Sequence, residues 1–213
     1  MKKIIFTAII LAFFILNAQP ATADMYFSSI SNSPIDLSGQ LHVNIINIGT
    51  SQVLFTFFND VGINSGIGGV FFDDRTSLLS NIIVSKNTDP IPYTSLGVDF
   101  EIPNGNGAFP QGNNLNPAFE VTFKATKYNS ESNSIDHSGE YLGILFNGSL
   151  AAVLGAINDG NLRVGLHVQS IEGSCGSDSD SYINTRTTVP VPGAVLLGML
   201  GLAVAGSKLR KFA

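Results

Sequence analysis

Apolar residues recur at every second position in several short runs, and Gly, Pro, Asn and Asp separate these runs. Such alternation is the period of a β-strand that buries one face. The pattern predicts an all-β domain over residues 24–172, an antiparallel β-sandwich or jelly-roll-like body. Its strands are predicted at residues 41–45, 53–58, 70–74, 78–84, 96–102, 119–125, 140–147 and 162–168.

One segment of this domain has helical rather than strand periodicity. Ser149 is a good N-cap residue, apolar residues follow it at helical spacing, and Gly160 stands where a C-terminal cap is wanted. We therefore expect a helix over residues 149–158. The runs at residues 41–45 and 53–58 are close enough to pair as a hairpin.

Three segments lack a regular pattern and are predicted to be irregular. Residues 24–39 look like a polar lead-in, and the Gly-rich residues 62–69 look like a flexible turn between strands. Residues 173–188 are rich in Ser and Asp and are predicted to be a polar linker.

The first 23 residues have the three parts of a secretory signal peptide. Lys2 and Lys3 precede an apolar stretch, and the small residues Ala21 and Ala23 form a cleavage site that would leave Asp24 as the first mature residue. The partner implied is a signal peptidase. The alternative is an uncleaved N-terminal helix.

The last 25 residues, 189–213, also have three parts. Val189-Pro190-Val191-Pro192 forms a neck, residues 193–206 are apolar and rich in Gly and Ala, and a basic end contains Lys208, Arg210 and Lys211. Small residues are typical of membrane helices, and the basic end is expected to stay cytoplasmic. The apolar stretch is shorter than the roughly 20 residues of a permanent span.

This order of parts resembles the PEP-CTERM sorting signal of exported bacterial proteins. One position departs from the family, because Val191 stands where the usual signal has Glu. The resemblance implies processing by an exosortase-like enzyme after transient anchoring through a C-terminal transmembrane helix, and then a location at the cell surface or outside the cell. The alternatives are a plain C-terminal anchor and a buried soluble helix.

Three further stretches look like parts of small PEP-CTERM exoproteins. Residues 69–74 are similar to an early strand, residues 160–171 to the closing strand, and residues 177–182 to the stalk. The resemblance implies a secreted or surface β-domain in a bacterium that makes exopolysaccharide.

The predicted exported body, residues 24–188, is strongly acidic. It holds all 16 acidic residues and only six basic ones, which gives a formal charge of −10. Such a surface repels phosphates, so no nucleic acid is expected as a partner. The single cysteine, Cys175, cannot form an internal disulfide, and it is either an incidental loop residue, a free thiol or a bridge between chains.

The sequence contains no convincing catalytic set, and we expect a protein that is not an enzyme. His42, His137 and His167 accompany many serines but no nucleophile elbow, and His167 is expected to face solvent. Glycoside hydrolysis needs two carboxylates across a cleft. The candidate acids are Asp73, Asp74, Asp99, Glu101, Glu120 and Glu140, of which Asp99 and Glu101 are predicted to share one strand face.

No cofactor or metal is predicted. Asp73-Asp74 and Asp178-Ser179-Asp180 offer oxygen atoms but not the spacing of an EF-hand loop, and solvated loop acids are the simpler interpretation. Asn147-Gly148-Ser149 is interpreted as a turn and helix cap rather than a glycosylation site.

Two functions remain open. The first is a structural or interaction protein of the extracellular matrix, associated with exopolysaccharide. The second is a carbohydrate-binding, lectin-like β-sandwich or, less favoured, a glycoside hydrolase. The chain has no Trp, so Tyr or Phe would have to provide stacking surfaces for sugars.

Overall fold

A computed structural model describes residues 22–31, 33–60, 62–105, 107–172 and 179–185. The predicted signal peptide, sorting signal and Cys175 lie outside these ranges. The described chain contains ten strands and one α-helix, α1 (Leu150–Asn158). The strands are β1 (Thr22–Ser29), β2 (Leu41–Ile48), β3 (Gln52–Asn59), β4 (Gly66–Asp74), β5 (Ser80–Val84), β6 (Phe100–Glu101), β7 (Phe123–Lys127), β8 (Tyr141–Asn147), β9 (Leu162–Gln169) and β10 (Asp180–Asn184).

All ten strands belong to one antiparallel sheet with the order β5-β8-β3-β2-β1-β10-β9-β4-β7-β6. The sheet curls into a nearly closed barrel. Strand β1 makes the connection at its centre, because residues 22–26 pair with β2 and residues 27–29 pair with β10. The predicted all-β, antiparallel class is therefore confirmed.

Aromatic rings fill much of the interior. The Phe55 and Phe72 rings meet edge to face with centroids 5.4 Å apart, and the Phe72 and Phe146 centroids are 4.9 Å apart. Phe72 lies on β4, which is not a neighbour of the strands that carry Phe55 and Phe146, so the two contacts run across the interior. Edge-to-face rings at this distance stabilise the fold beyond the burial of their area.

The predicted hairpin and helix are confirmed. Strands β2 and β3 pair along their full length through a turn in which Gly49 has a φ of +64°, a conformation that favours glycine. Helix α1 begins after Ser149, but the Ser149 side chain makes no capping hydrogen bond. The Leu150 amide instead donates to Asn47 Oδ1 at 3.3 Å, and Gly160, with a φ of +74°, ends the helix as predicted.

Two segments predicted to be irregular contain strands at the centre of the sheet. The predicted lead-in contains β1, whose Met25 and Phe27 are buried, and the predicted linker contains β10, whose Tyr182 is fully buried. Both predictions were wrong, because β1 and β10 pair with each other although more than 150 residues separate them.

Three strand boundaries also differ from the prediction. Strand β4 begins at Gly66, inside the predicted turn, and pairs with both β7 and β9. Only two residues of the predicted strand at 96–102 form β6, and Leu96 is 85% exposed. Strand β7 begins at Phe123, because Phe119 packs in a separate cluster with Phe71 and Phe109.

Candidate functional site

Four aromatic side chains form a row across four neighbouring strands, on the outside of the sheet. Tyr26 on β1 lies opposite His42 on β2, His42 opposite Phe58 on β3, and Phe58 opposite Tyr141 on β8. Successive ring centroids are 6.2, 4.8 and 6.0 Å apart. The alternation of buried and outward residues places all four on one face, which we call the aromatic row.

The rings of the aromatic row do not all lie in parallel planes. His42 and Phe58 are nearly parallel, at 12°, whereas the Tyr26–His42 and Phe58–Tyr141 pairs are tilted by 39° and 44°. The stacked His42 and Phe58 rings cover part of each other's faces. Tyr26, which is 51% exposed, therefore offers the most accessible ring.

Polar side chains flank the aromatic row on both sides. Asn44 and Thr56 form the next outward row, and Asn44 Nδ2 donates to Asp24 Oδ1 at 2.9 Å. On the other side, Asp60 Oδ2 lies 3.5 Å from His42 Nδ1, and the Asp60 side chain is 63% exposed. Apolar rings bordered by hydrogen-bonding groups are typical of small-molecule binding surfaces.

A loop borders the row at its Tyr141 end. The Tyr141 amide donates to Ser95 Oγ at 3.0 Å, and the Ser95 amide donates to the Tyr141 carbonyl at 3.0 Å. At Gly143, a Cβ atom would lie 2.3 Å from the Tyr93 carbonyl oxygen, so the glycine allows this loop to approach the sheet. The loop thus fixes one end of the row, and at the other end the Thr185 amide donates to the Tyr26 carbonyl at 2.8 Å.

The strands that carry the aromatic row contain no Lys or Arg. The sequence contains no Lys or Arg from residue 22 to residue 74, or from residue 128 to residue 162. These segments include β1, β2, β3, β8 and the turn that joins β2 to β3. Every fixed charge that they carry is negative.

The structure gives most of the candidate acids structural roles. Asp73 is ion-paired with Arg163 and Arg75. The Asp74 carboxylate accepts a hydrogen bond from the Leu79 amide at 2.7 Å, and Asp74 is also buried.

The predicted pair of Asp99 and Glu101 does not form a strand face. Asp99 precedes the two-residue strand β6 and is ion-paired with Lys86. This ion pair lines an open cleft of about 480 Å³, bordered by residues 86–88, 97–99 and Asn133. Glu101 and Glu120 are exposed.

The histidines occupy three different environments. His42 belongs to the aromatic row. His167 is not solvent-facing as predicted, because it is half-buried, and burial lowers the pKa of its ring. A hydrogen bond to the Asp180 backbone acts in the opposite direction.

Asp136, His137 and Glu140 form a cluster that the sequence did not indicate. Their potential ligand atoms lie within 4.8 Å of one another in one short loop. Glu140 Oε2 accepts the amides of Asp136 and His137 at 2.9 and 3.0 Å, and the His137 ring is 79% exposed. The hydrogen bonds already account for this arrangement as a loop-stabilising turn.

The processing residues are described only in part. Ala23 is buried in β1 opposite Ile45, and Asp24 is exposed beside it. Ala21 and the sorting residues Val189, Pro190, Val191, Pro192, Lys208, Arg210 and Lys211 lie outside the described residues. Asp178 also lies outside them, whereas Asp180 is buried and accepts Ser29 Oγ at 3.0 Å.

Within the ranges that the structure describes, no helix is long and apolar enough to cross a bilayer. The chain matches no family model, no curated protein and no solved structure at a significant level.

Proposed function

We propose that this chain is an exported bacterial protein, sorted by an exosortase-like enzyme and delivered to the cell surface or the extracellular matrix. The N-terminal signal pattern of residues 1–23 and the three-part tail of residues 189–213 support the proposal. Signal peptidase removes the first segment. The tail inserts in the membrane until it is processed near Pro190–Pro192.

The body of this protein has a binding role rather than an enzymatic one, and its ligand is exopolysaccharide. The observation that carries this proposal is the aromatic row Tyr26–His42–Phe58–Tyr141 with its polar borders. Aromatic rings pack against the C–H faces of sugars, while neighbouring amides and carboxylates bond to hydroxyl groups. A row of outward aromatic rings on a sheet face is a feature of interaction surfaces.

The less favoured alternative is a glycoside hydrolase. Hydrolysis requires one carboxyl to act as an acid and a second to act as base or nucleophile. Asp99 is neutralised by Lys86, and Asp73 and Asp74 are buried in structural contacts. The geometry of these acids therefore favours binding over hydrolysis.

We also propose that the two halves of the curled sheet act as the layers of a β-sandwich of jelly-roll type. The ring contacts of Phe72 with Phe55 and Phe146 across the interior support this arrangement. Packing of two inner faces in this way leaves the aromatic row on the outer face of the sheet.

Mass spectrometry of the protein recovered outside the cell tests the sorting step. We expect a chain that begins at Asp24 and lacks residues 208–213. Recovery of extracellular protein that still contains Lys208–Ala213 would contradict sorting.

Binding of the same protein to a polysaccharide panel tests the second part of the proposal. We expect retention by at least one polysaccharide, and we expect this retention to fall in Tyr26→Ala but not in Tyr128→Ala. Tyr128 is a matched control because it is 42% exposed and lies outside the row. Failure to bind any polysaccharide would overturn the binding role.

A further inference from the structure

We infer that the aromatic row binds a single, extended chain of a neutral β-linked hexose polymer, and that this chain lies across the strands. The inference rests on the proposed polysaccharide binding and names the class of ligand. It follows from the direction of the row, the tilt of its rings and the charge of its surroundings.

The direction of the row calls for an extended ligand. The four rings follow the strand order β1-β2-β3-β8, and each step of 4.8 to 6.2 Å is close to the spacing between strands. A ligand that contacts the whole row must present an apolar surface repeatedly in one direction. Hexoses with equatorial substituents and β-linkages do this, because C–H groups cover both faces of each sugar.

The flanking polar groups match the edges of such a chain. Equatorial hydroxyl groups point sideways from the sugar rings, toward the borders of the row. Asn44 and Thr56 lie on one border, and Asp60 lies on the other. These side chains provide amide, hydroxyl and carboxylate groups that can bond with hydroxyl groups.

The tilt of the rings favours a single chain over a flat crystalline surface. Tyr26 is turned by 39° from His42, and Tyr141 by 44° from Phe58. A flat surface cannot contact all these rings at once. A separate chain in solution can twist and follow them.

The charges favour a neutral ligand. Asp24 and Asp60 border the row, and the strands that form it contain no Lys or Arg. A chain of uronic acids would bring carboxylates next to these carboxylates without a cation to pair with them. Repulsion of this kind suppresses binding of the wrong partner.

Calorimetric titration of the secreted protein with soluble oligosaccharides tests the inference. The probes are cellohexaose, which is neutral and β-linked, maltohexaose, which is neutral and α-linked, and an alginate hexamer, which is anionic. We expect cellohexaose to bind at least tenfold more tightly than either of the others. We also expect its affinity to change little with salt, because no ion pair contributes.

Variants of Tyr26 test whether cellohexaose binds at the aromatic row. Tyr26→Ala should weaken cellohexaose binding about tenfold, because it removes one aromatic contact with the sugar. Tyr26→Phe keeps the ring and should bind within about twofold of wild type, as should Tyr128→Ala. Thermal unfolding of each variant verifies that it is folded.

The outcomes separate this inference from the proposed function. Tighter binding to maltohexaose or alginate, with loss of binding in Tyr26→Ala, would overturn the ligand class and leave polysaccharide binding standing. Binding to crystalline cellulose without binding to cellohexaose would overturn the single-chain geometry. Unchanged cellohexaose binding in Tyr26→Ala would overturn the assignment to the row, and no binding to any polysaccharide would overturn both proposals.

Discussion

Asp73 and Arg163 lie directly opposite each other on β4 and β9, and their side chains form an ion pair on the outer face of the sheet. Asp73 is 1% exposed and accepts Arg163 Nε at 2.9 Å, and Arg75 lies against the same carboxylate oxygen at 3.3 Å. Two guanidinium groups therefore share one buried carboxylate.

This ion-pair cluster also holds the long loop between β6 and β7. Arg163 Nη1 donates to the Pro117 carbonyl at 2.8 Å, and Arg75 Nη2 donates to the Ala118 carbonyl at 2.9 Å. The Arg163 guanidinium also lies 5.1 Å from the centroid of the Phe119 ring. Charge, backbone hydrogen bonds and a cation–π contact thus fix the loop to the sheet.

Asp73→Asn should destabilise the fold by about 3 kcal/mol, because it leaves two guanidinium groups without their buried counter-charge. The free energy of unfolding in urea measures this effect. Glu101→Gln, at an exposed strand residue, is the matched control and should change stability by less than about 0.5 kcal/mol. Equal stability of the two variants would show that the cluster does not hold the loop.

Gly165→Ala should destabilise the fold by about 1–3 kcal/mol through overpacking. A Cβ atom at Gly165 would lie 2.6 Å from Phe109 Cζ, where the ring rests on β9. Gly155→Ala, in α1 with open space around it, should instead stabilise by about 0.5–1 kcal/mol. Urea unfolding compares the two variants.

The clash can be isolated with a double variant. Phe109→Ala removes the ring, so adding Gly165→Ala to it should cost less than Gly165→Ala costs in the wild-type chain. Additive free energies would mean that Phe109 does not rest on Gly165.

We expect His167 to lower the free energy of unfolding as the pH decreases. Burial lowers the pKa of its ring in the folded protein below the ordinary value of 6.5. As the pH drops below 6.5, the unfolded chain takes up a proton before the folded chain does, so the free energy of unfolding decreases until the folded pKa is passed. Asp180 and Lys127 are the charged groups that act on this ring.

His167→Gln removes the titrating ring and should flatten this decrease. Urea unfolding at a series of pH values between about 7.5 and 4.5 measures the slope in both proteins. An equally steep slope in the variant would place the acid sensitivity at other groups.

Local patterns were sufficient to predict part of the fold. The alternation at Leu41, Val43 and Ile45 and the turn at Gly49 predicted the β2–β3 hairpin, because its partners are neighbours in the sequence. Helix α1 followed from the spacing of its apolar residues and from Gly160. These elements depend on interactions over only a few residues.

Strand β10 could not be predicted from local pattern, because most of its residues are polar and one of its two partner strands, β1, is distant in the sequence. Asp180 is buried, yet it accepts Ser29 Oγ from β1, more than 150 residues earlier. The Tyr182 hydroxyl accepts the Leu37 amide at 3.3 Å. Such partners make burial of polar groups favourable, and the sequence does not reveal them.

The aromatic row could not be predicted from the sequence for a related reason. His42 and Phe58 occupy outward positions of the hairpin, and the alternation over residues 41–45 indicates this only for His42. Tyr26 and Tyr141 join them only because β1 and β8 pair with this hairpin in one particular register. A shift of one residue in either strand would turn its ring to the interior.

Sugar binding on the aromatic row is tested most directly by a nuclear magnetic resonance titration of the secreted protein with cellohexaose. The ring signals of Tyr26, His42, Phe58 and Tyr141 are expected to shift in a saturable way, while those of Tyr128 stay unchanged. Shifts confined to the cleft at Lys86 and Asp99, or unshifted row signals at saturating sugar, would contradict the claim.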